Sequence, residues 1–351
     1  MWKKWLTLTT VTFFLLAGCN SKEEAVTENG EVSEPNQEGV NEKSDPQESE
    51  LPFHYPLTGL GSADEVDGRA VAVMVNNHPK ARPQSGLYKA DIVYEILAEG
   101  NVTRFLAIFQ SEQPEIIGSV RSAREYYIEL ANGYDSLYIA HGNSVGAKEL
   151  LDSGYIDHLN GLYYDGSLFE RVNFRQAPHN SYISFKNILK GADQNHFEME
   201  EAPESLVFLT EAEADDLAGE KAETVSISYY DKTFSSSFEY DQKLEKYKRA
   251  SNGEQTVDQQ TKDPVVVDNV FIVEMKHWII DDNAGLRDID LTSGGRAYLL
   301  QKGQMIEVEW RNVDGRILPF ADGKEVGFVP GKTWINVIPS DPGLEQLISF
   351  E

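Results

Sequence analysis

Three apolar runs stand close together and leave the middle of the chain few ways to fold: Arg69–Asn76 (RAVAVMVN), Ala90–Leu97 (ADIVYEIL) and Thr103–Gln110 (TRFLAIFQ). Continuous apolar runs of this length, bounded by polar loops, read as buried strands. Gly100-Asn101 is a turn signal that folds the second run onto the third as a hairpin. After a short strand-to-loop passage over 116–123, Arg124–Gly133 has helical spacing, with Tyr127, Leu130 and Ala131 on one face. A fourth strand, Ser136–Ala140 (SLYIA), follows and ends in His141-Gly-Asn-Ser144. Short helices are expected over Gly146–Ser153 and Ser184–Lys190, with Ser184 as the N-cap.

Beyond about Glu200 the pattern changes. Short strands separated by Asn-Gly, Gly-Gly, Lys-Gly and Asp-Gly turns recur from Thr224 to Ile338, behind a short acidic helix at Glu211–Leu217. The expected architecture is a mixed α/β N-terminal domain with a central sheet over 51–198, followed by a β-rich C-terminal domain over 199–351.

The N-terminal residues carry an export signal. Met1–Gly18 has two lysines, Lys3 and Lys4, ahead of an apolar core from Trp5 to Leu16, too short to span a membrane comfortably. It ends Leu16-Ala17-Gly18-Cys19, which resembles the lipobox of bacterial lipoproteins. That resemblance implies cleavage after residue 18, lipidation of Cys19, and a cell-membrane location facing away from the cytoplasm, since two or three acyl chains anchor stably. Cys19 is the only cysteine, so the mature chain has no internal disulfide and must be held by its core.

Residues 20–50 hold ten acidic residues against Lys22 and Lys43, a net −8, with almost no aliphatic content. Such a stretch cannot bury enough apolar surface to offset its ordering entropy and reads as a disordered acidic tether. The whole chain carries −27, and −21 remains on 51–351 once the signal and tether are set aside. A body this acidic argues against nucleic acid, whose phosphates need Lys and Arg, and against a polybasic membrane patch.

Within this acidic body, Arg69, Arg82, Arg104, Arg121, Arg124, Arg171 and Arg175 outnumber the lysines over 69–185. Arginine binds carboxylate or phosphate through a planar fork, so the group implies either internal salt bridges, with Glu95 and Glu99 among the available partners, or an anion site. Gly118–Ala147 collects the strongest candidates at a strand end, where α/β sheets place their ligands. The candidate ligand-binding residues are Arg82, Arg104, Arg121, Arg124, His141, Ser144, Arg171, His179 and Asn180. If the strands are parallel neighbours, His78, His141 and His179 converge at one sheet edge, where a histidine serves as base or ligand, or simply as a hydrogen-bonded loop residue. Ser144 reads as a helix N-cap or an anion donor. There is no HExxH and no GxSxG, and the lone cysteine is taken up by lipid, so zinc hydrolysis, the serine-hydrolase elbow and cysteine catalysis have no signature. No catalytic residue, metal or cofactor is assigned, and whether the protein is an enzyme stays open.

The long motifs AVMVNNHPKARPQSGLYKADIVYEILAEG, PEIIGSVRSAR, ANGYDSLYIAHGNS, APHN, DIDLTSGGRAYLL and GKTWINVIP together resemble the YerB-like lipoproteins. The resemblance implies a two-part fold and a cell-envelope location, and brings no reaction with it. A looser likeness links Ala90-Asp91-Ile92 and Gly118–Ser122 to the LytR-CpsA-Psr phosphotransferases, with Ile92 and Ser122 departing from that pattern. Two functions are therefore expected in competition. The first is an anchored envelope lipoprotein that binds an anionic envelope polymer or a protein partner at an Arg/His-lined site. The second is a phosphotransferase or hydrolase of envelope glycopolymers or lipid-linked phosphates, with Arg82, Arg121 and Arg124 as a phosphate clamp and Asp91 or a histidine assisting as base or metal ligand.

Overall fold

Strand β1, Val71–Asn76, shows why the apolar runs are continuous. All six residues are buried, and successive side chains enter two different cores: Val71, Val73 and Val75 one, Ala72 and Met74 the other. Strands β2 (Ile92–Glu99) and β3 (Val102–Phe109) divide in the same way. A sheet covered on both faces needs apolar residues at every position, not at every second one. The computed structural model of the chain describes residues 51–281 and 285–351. The expected signal segment 1–18, Cys19 and the tether 20–50 lie outside the described residues.

Around this hairpin the chain builds a sheet of fourteen strands. After the short strand β4, Ile116–Gly118, comes β5, Leu137–Ala140; β1 pairs antiparallel with β3 on one side and parallel with β5 on the other, and short strand β6, His158–Asn160, continues the parallel edge. On the opposite side, Thr333–Pro339 lies parallel to both β2 and Asn269–Met275, so a strand from the end of the chain inserts at the sheet's centre. Antiparallel strands Gly295–Gln301, Gln304–Val313 and Arg316–Ala321 complete that half. The α/β segment and the β-rich segment thus share one sheet, and the described residues fall within one compact unit.

The first core packs one sheet face against the helix Phe185–Asn195 and against a second, six-stranded sheet that contains Thr224–Ile227, Ser236–Asp241 and Lys246–Ser251. The second core lies under helix α1, Glu125–Asn132, and helix α2, Val145–Asp152. Both helices fall within a residue of the expected bounds. Tyr126, Tyr127, Ile128, Leu130 and Ala131 are all buried beneath α1, a wider face than the three residues anticipated. Strands without a clear sequence signal include Arg316–Ala321, interrupted by Pro319, and Ser181–Ser184, which forms a small sheet with Ile116–Gly118 and Phe169–Arg171.

Candidate functional site

β1 and β5 run parallel as neighbours, so His78 and His141, each just beyond its strand, emerge at the same sheet edge. The segment after Gly118 crosses between these two strand ends. Arg121 N–H donates to Met74 O (2.9 Å), and His141 N–H donates to Arg121 O (2.9 Å). Backbone pairing on both sides fixes where the Arg121 side chain starts. Its guanidinium is half-buried and donates only to Pro178 O (3.3 Å); no carboxylate among the described residues pairs with it. Burial and then the Arg104 charge push its pKa down to about 10.

Asn76 sets the next layer. Its Oδ1 accepts from His78 N–H (2.9 Å), which fixes the amide orientation, and its Nδ2 donates to His179 Nδ1 (2.9 Å) and Ser119 Oγ (3.3 Å). His179 Nδ1 is therefore an acceptor and its proton sits on Nε2. His78 Nδ1 accepts from Lys80 N–H (3.1 Å), which gives the same tautomer. The two rings stack, with centroids 4.5 Å apart and planes 25° from parallel. Neither Nε2 has a hydrogen-bond partner among the described residues. Burial first, then neighbouring cations, hold both histidines below the ordinary value: Lys80 and Arg121 act on His78, and His78 and Arg121 on His179.

His141 lies in a second group on the same edge. Its Nε2 faces Arg171 Nη2 (2.8 Å), a pure donor, so Nδ1 carries the proton and donates to Ser181 Oγ (2.7 Å). Arg171 also pairs with Asp165 (2.9 Å) and donates to Asn180 Oδ1 (3.2 Å). Burial leads and the Arg171 charge follows in lowering the His141 pKa, with Asp165 opposing and Arg121 adding to the fall. Gly161 permits this packing, because a Cβ there would collide with the His141 ring. Arg121 thus acts on all three histidines, and the edge presents hydrogen-bond donors with few acceptors.

Other candidates lie elsewhere. Arg104 (2.5 Å) and Arg124 both close on Glu99, with their side chains 3% and 8% exposed, so they form an internal ion cluster behind the edge. Ser144 caps α2, accepting from Ala147 N–H (3.2 Å) and donating to Glu125 Oε2 (2.6 Å); of its two expected roles it fills the cap. Arg82 turns away to Asn77 and to Thr233 O (2.8 Å). Asp91 is fully buried and accepts from Gln110 N–H (2.6 Å), Ser111 N–H (2.8 Å) and the Ser111 hydroxyl, so it anchors a turn. The clamp of Arg82, Arg121 and Arg124 expected for a phosphotransferase is not assembled. Asn76, Ser119 and Ser181 belong to the site and carried no sequence signal beyond their nearness to strand ends. Among the described residues, no group of three His, Cys, Asp or Glu side chains is placed to hold a metal, and no helix is long and apolar enough to cross a membrane.

An α/β scaffold with an arginine-and-histidine edge and a β-rich second half is the type of protein the geometry defines, and comparison with known proteins places it. Residues 57–198 match the N-terminal domain, and residues 225–335 the C-terminal domain, of the family described as "Protein of unknown function (DUF3048)". The chain is 47% identical over 342 residues to the Bacillus subtilis (strain 168) protein named "Putative lipoprotein YerB", covering 96% of each. It is similar to the crystal structure of YerB protein from Bacillus subtilis, with a TM-score of 0.79 at 49% identity, covering 85% of this chain and 99% of that one. The chain belongs to this YerB-like, DUF3048 family.

Proposed function

We propose that the protein is a lipoprotein, anchored to the outer face of the cell membrane through Cys19, that binds an anionic component of the cell envelope at the edge formed by Arg121, His78, His179, His141, Arg171 and Asn180. The anchoring part rests on the Leu16–Cys19 motif and on the lipoprotein name of the Bacillus subtilis relative. The binding part rests on one observation. In a chain with 58 acidic residues, the half-buried guanidinium of Arg121 has no carboxylate partner among the described residues, and on the same edge His78 and His179 are held in the tautomer that leaves each Nε2–H unpaired among those residues. A preorganised set of donors with little acceptor capacity suits a polyanion bearing phosphate or carboxylate groups.

The test uses the full chain in detergent with teichoic-acid fragments and peptidoglycan fragments as probes. A rise in melting temperature with an anionic fragment, abolished by Arg121→Gln, is the expected result. A rise that survives Arg121→Gln, or none with any fragment, overturns the reading. Loss of palmitate labelling and of membrane retention in Cys19→Ala tests the anchor separately.

A further inference from the structure

Strand His277–Asp281 stands at an open edge. It pairs antiparallel with Leu286–Ile289, which meets β2 at Glu99, and among the described residues no other strand pairs with it. Asp290 N–H donates to Lys276 O (3.0 Å), and the register holds from there through Ile279 before it shifts. Alternate residues of an antiparallel strand face the partner, so Trp278 does, and the N–H and C=O of His277 and Ile279 point to the open side. Trp278, Ile279 and Ile280 follow one another along this edge and are 40%, 50% and 53% exposed. Successive strand residues point to opposite faces, so neither face is covered here. Folded proteins ordinarily shield such an edge with charge, proline or a covering element, whereas an uncovered apolar edge is the kind that receives a further strand.

Charge selects the occupant. Trp278 stands directly opposite Asp288, whose Oδ1 accepts from Ile289 N–H (2.9 Å). Glu129 of α1 lies near: desolvation of its carboxyl first, then the Asp288 and Glu125 charges, raise its pKa. Neither Glu129 nor Asp288 has an ion-pair partner among the described residues. Arg287 stands opposite Ile279, on the other face, and donates to Gly100 O (3.0 and 2.7 Å). The Trp278 face therefore offers an exposed indole beside two carboxylates, which suits a cation laid over the ring. A second copy does not fit. Two identical edges pair antiparallel about a two-fold axis normal to the sheet, which brings the carboxylates of both copies to the same face with no cation between them. Three partly exposed side chains also fall far short of the roughly 800 Å² per partner that a stable dimer buries. An added strand needs less, because main-chain hydrogen bonds supply its affinity. We propose that His277–Asp281 receives an extended segment of a partner protein as an added strand, with an apolar residue against Ile279 and a Lys or Arg side chain laid across Trp278 toward Asp288 and Glu129. This surface is separate from the Arg121 edge.

Two capped peptides test it on the full chain in detergent, one of alternating valine and lysine and one of alternating valine and glutamate, read by calorimetric titration and by hydrogen exchange. The lysine peptide is expected to bind saturably and to slow exchange at the Ile279 amide, and the glutamate peptide to do neither. Trp278→Ala should weaken binding about two- to fivefold, the worth of an exposed cation–π contact. Ile279→Pro should abolish it, since proline removes the outward N–H that the native ladder does not use. Asp288→Asn should weaken it and does not depend on how well Ile279→Pro folds. Arg121→Gln should leave it unchanged, which separates this surface from the polyanion edge. No saturable binding of the lysine peptide, equal binding of the glutamate peptide, or affinity indifferent to both Ile279→Pro and Asp288→Asn overturns the proposal. So does a concentration-dependent dimer that Ile279→Pro dissolves, which would assign the edge to a second copy. Quenching by brominated lipid that Trp278→Phe removes would assign it to the membrane and overturns the proposal as well.

Discussion

Arg249 Nη2 lies 2.8 Å from Glu95 Oε2, with the two side chains 1% and 0% exposed, and the pair ties the central hairpin to the second sheet. Glu95 is also held by Asn77 (3.2 Å), Thr103 (3.1 Å), Ser236 (2.8 Å) and the Trp334 indole (3.2 Å), while the Arg249 guanidinium stacks 4.4 Å from the Trp334 ring. A fully buried pair gives modest net stability, but breaking it strands a charge. Arg249→Met is therefore expected to destabilise the fold by about 3–5 kcal/mol, and the double variant Glu95→Gln/Arg249→Met to recover most of that. Urea denaturation of the full chain, followed by tryptophan fluorescence, checks both. Equal losses in the single and double variants would count against the pair.

Glu99 presents the same logic with two cations. Arg104 and Arg124 both converge on it, and both are nearly buried. Glu99→Gln leaves two guanidinium groups facing one neutral amide. The expected loss is about 3 kcal/mol, toward the lower end for a broken buried pair because Glu99 itself is 26% exposed. Thermal melts measure the loss. Ligand-induced shifts at the Arg121 edge should persist, since these arginines stand behind it.

These two clusters mark what a sequence reader could and could not see. The apolar runs around β1, β2 and β3 were legible because burial on both faces leaves a local pattern. The placing of His78 and His141 at one sheet edge follows from β1 and β5 being parallel neighbours, whereas His179 reaches His78 from the segment before Ser181–Ser184, in a different sheet. Glu95 and Glu99 were visible as acids inside or ending a buried strand and were natural salt-bridge partners. That Glu95 would take Arg249, some 154 residues away, had no local signal, because a contact between two sheets leaves no periodicity. The strand Arg316–Ala321 was hidden by Pro319, which ordinarily argues against a strand away from an edge. The split of the arginine group into a free Arg121, a Glu99 cluster and an Arg82 turned to Asn77 and Thr233 depends on side-chain direction, which composition does not encode.

Acid should weaken the fold, and His277 is a leading cause. Its Nδ1 donates to Met275 O (2.9 Å), its Nε2 is buried without a partner among the described residues, and burial pushes its pKa down to about 4 from 6.5. Between those values the unfolded chain binds more protons than the folded one. Stability therefore falls as pH drops from about 6.5 to about 4 and this contribution levels off below that. His78, His141 and His179, also lowered, act in the same sense. His277→Asn should flatten the slope of denaturation free energy against pH in this window. An unchanged slope would remove His277 as a source.

Gly161 tests the packing under His141. Its α-carbon faces the imidazole, and any Cβ would run into Nδ1, the atom bonded to Ser181. Gly161→Ala should cost about 1–3 kcal/mol as an overpacking change and break the His141–Ser181 bond. Histidine NMR would show the His141 resonances moved with those of His78 and His179 in place.

Removing the Arg121 charge reads the electrostatics of the edge directly. Arg121 lowers His78, His141 and His179 together, in each case after burial. In Arg121→Gln all three histidines should titrate at higher pH, with His277, on which Arg121 does not act, unmoved. The direction follows from the sign alone: taking away a nearby cation makes the protonated imidazole less unfavourable. Because the side chain is half-buried and its only hydrogen bond among the described residues is to Pro178 O, little stability should be lost. A histidine titration series by NMR on the folded variant separates an electrostatic edge from a merely structural one. If the three midpoints stay where they are while binding of the anionic fragment disappears, Arg121 contacts the ligand without setting the protonation state of its neighbours. If they rise together, the edge is one coupled donor surface in which binding tightens as pH falls through the histidine midpoints.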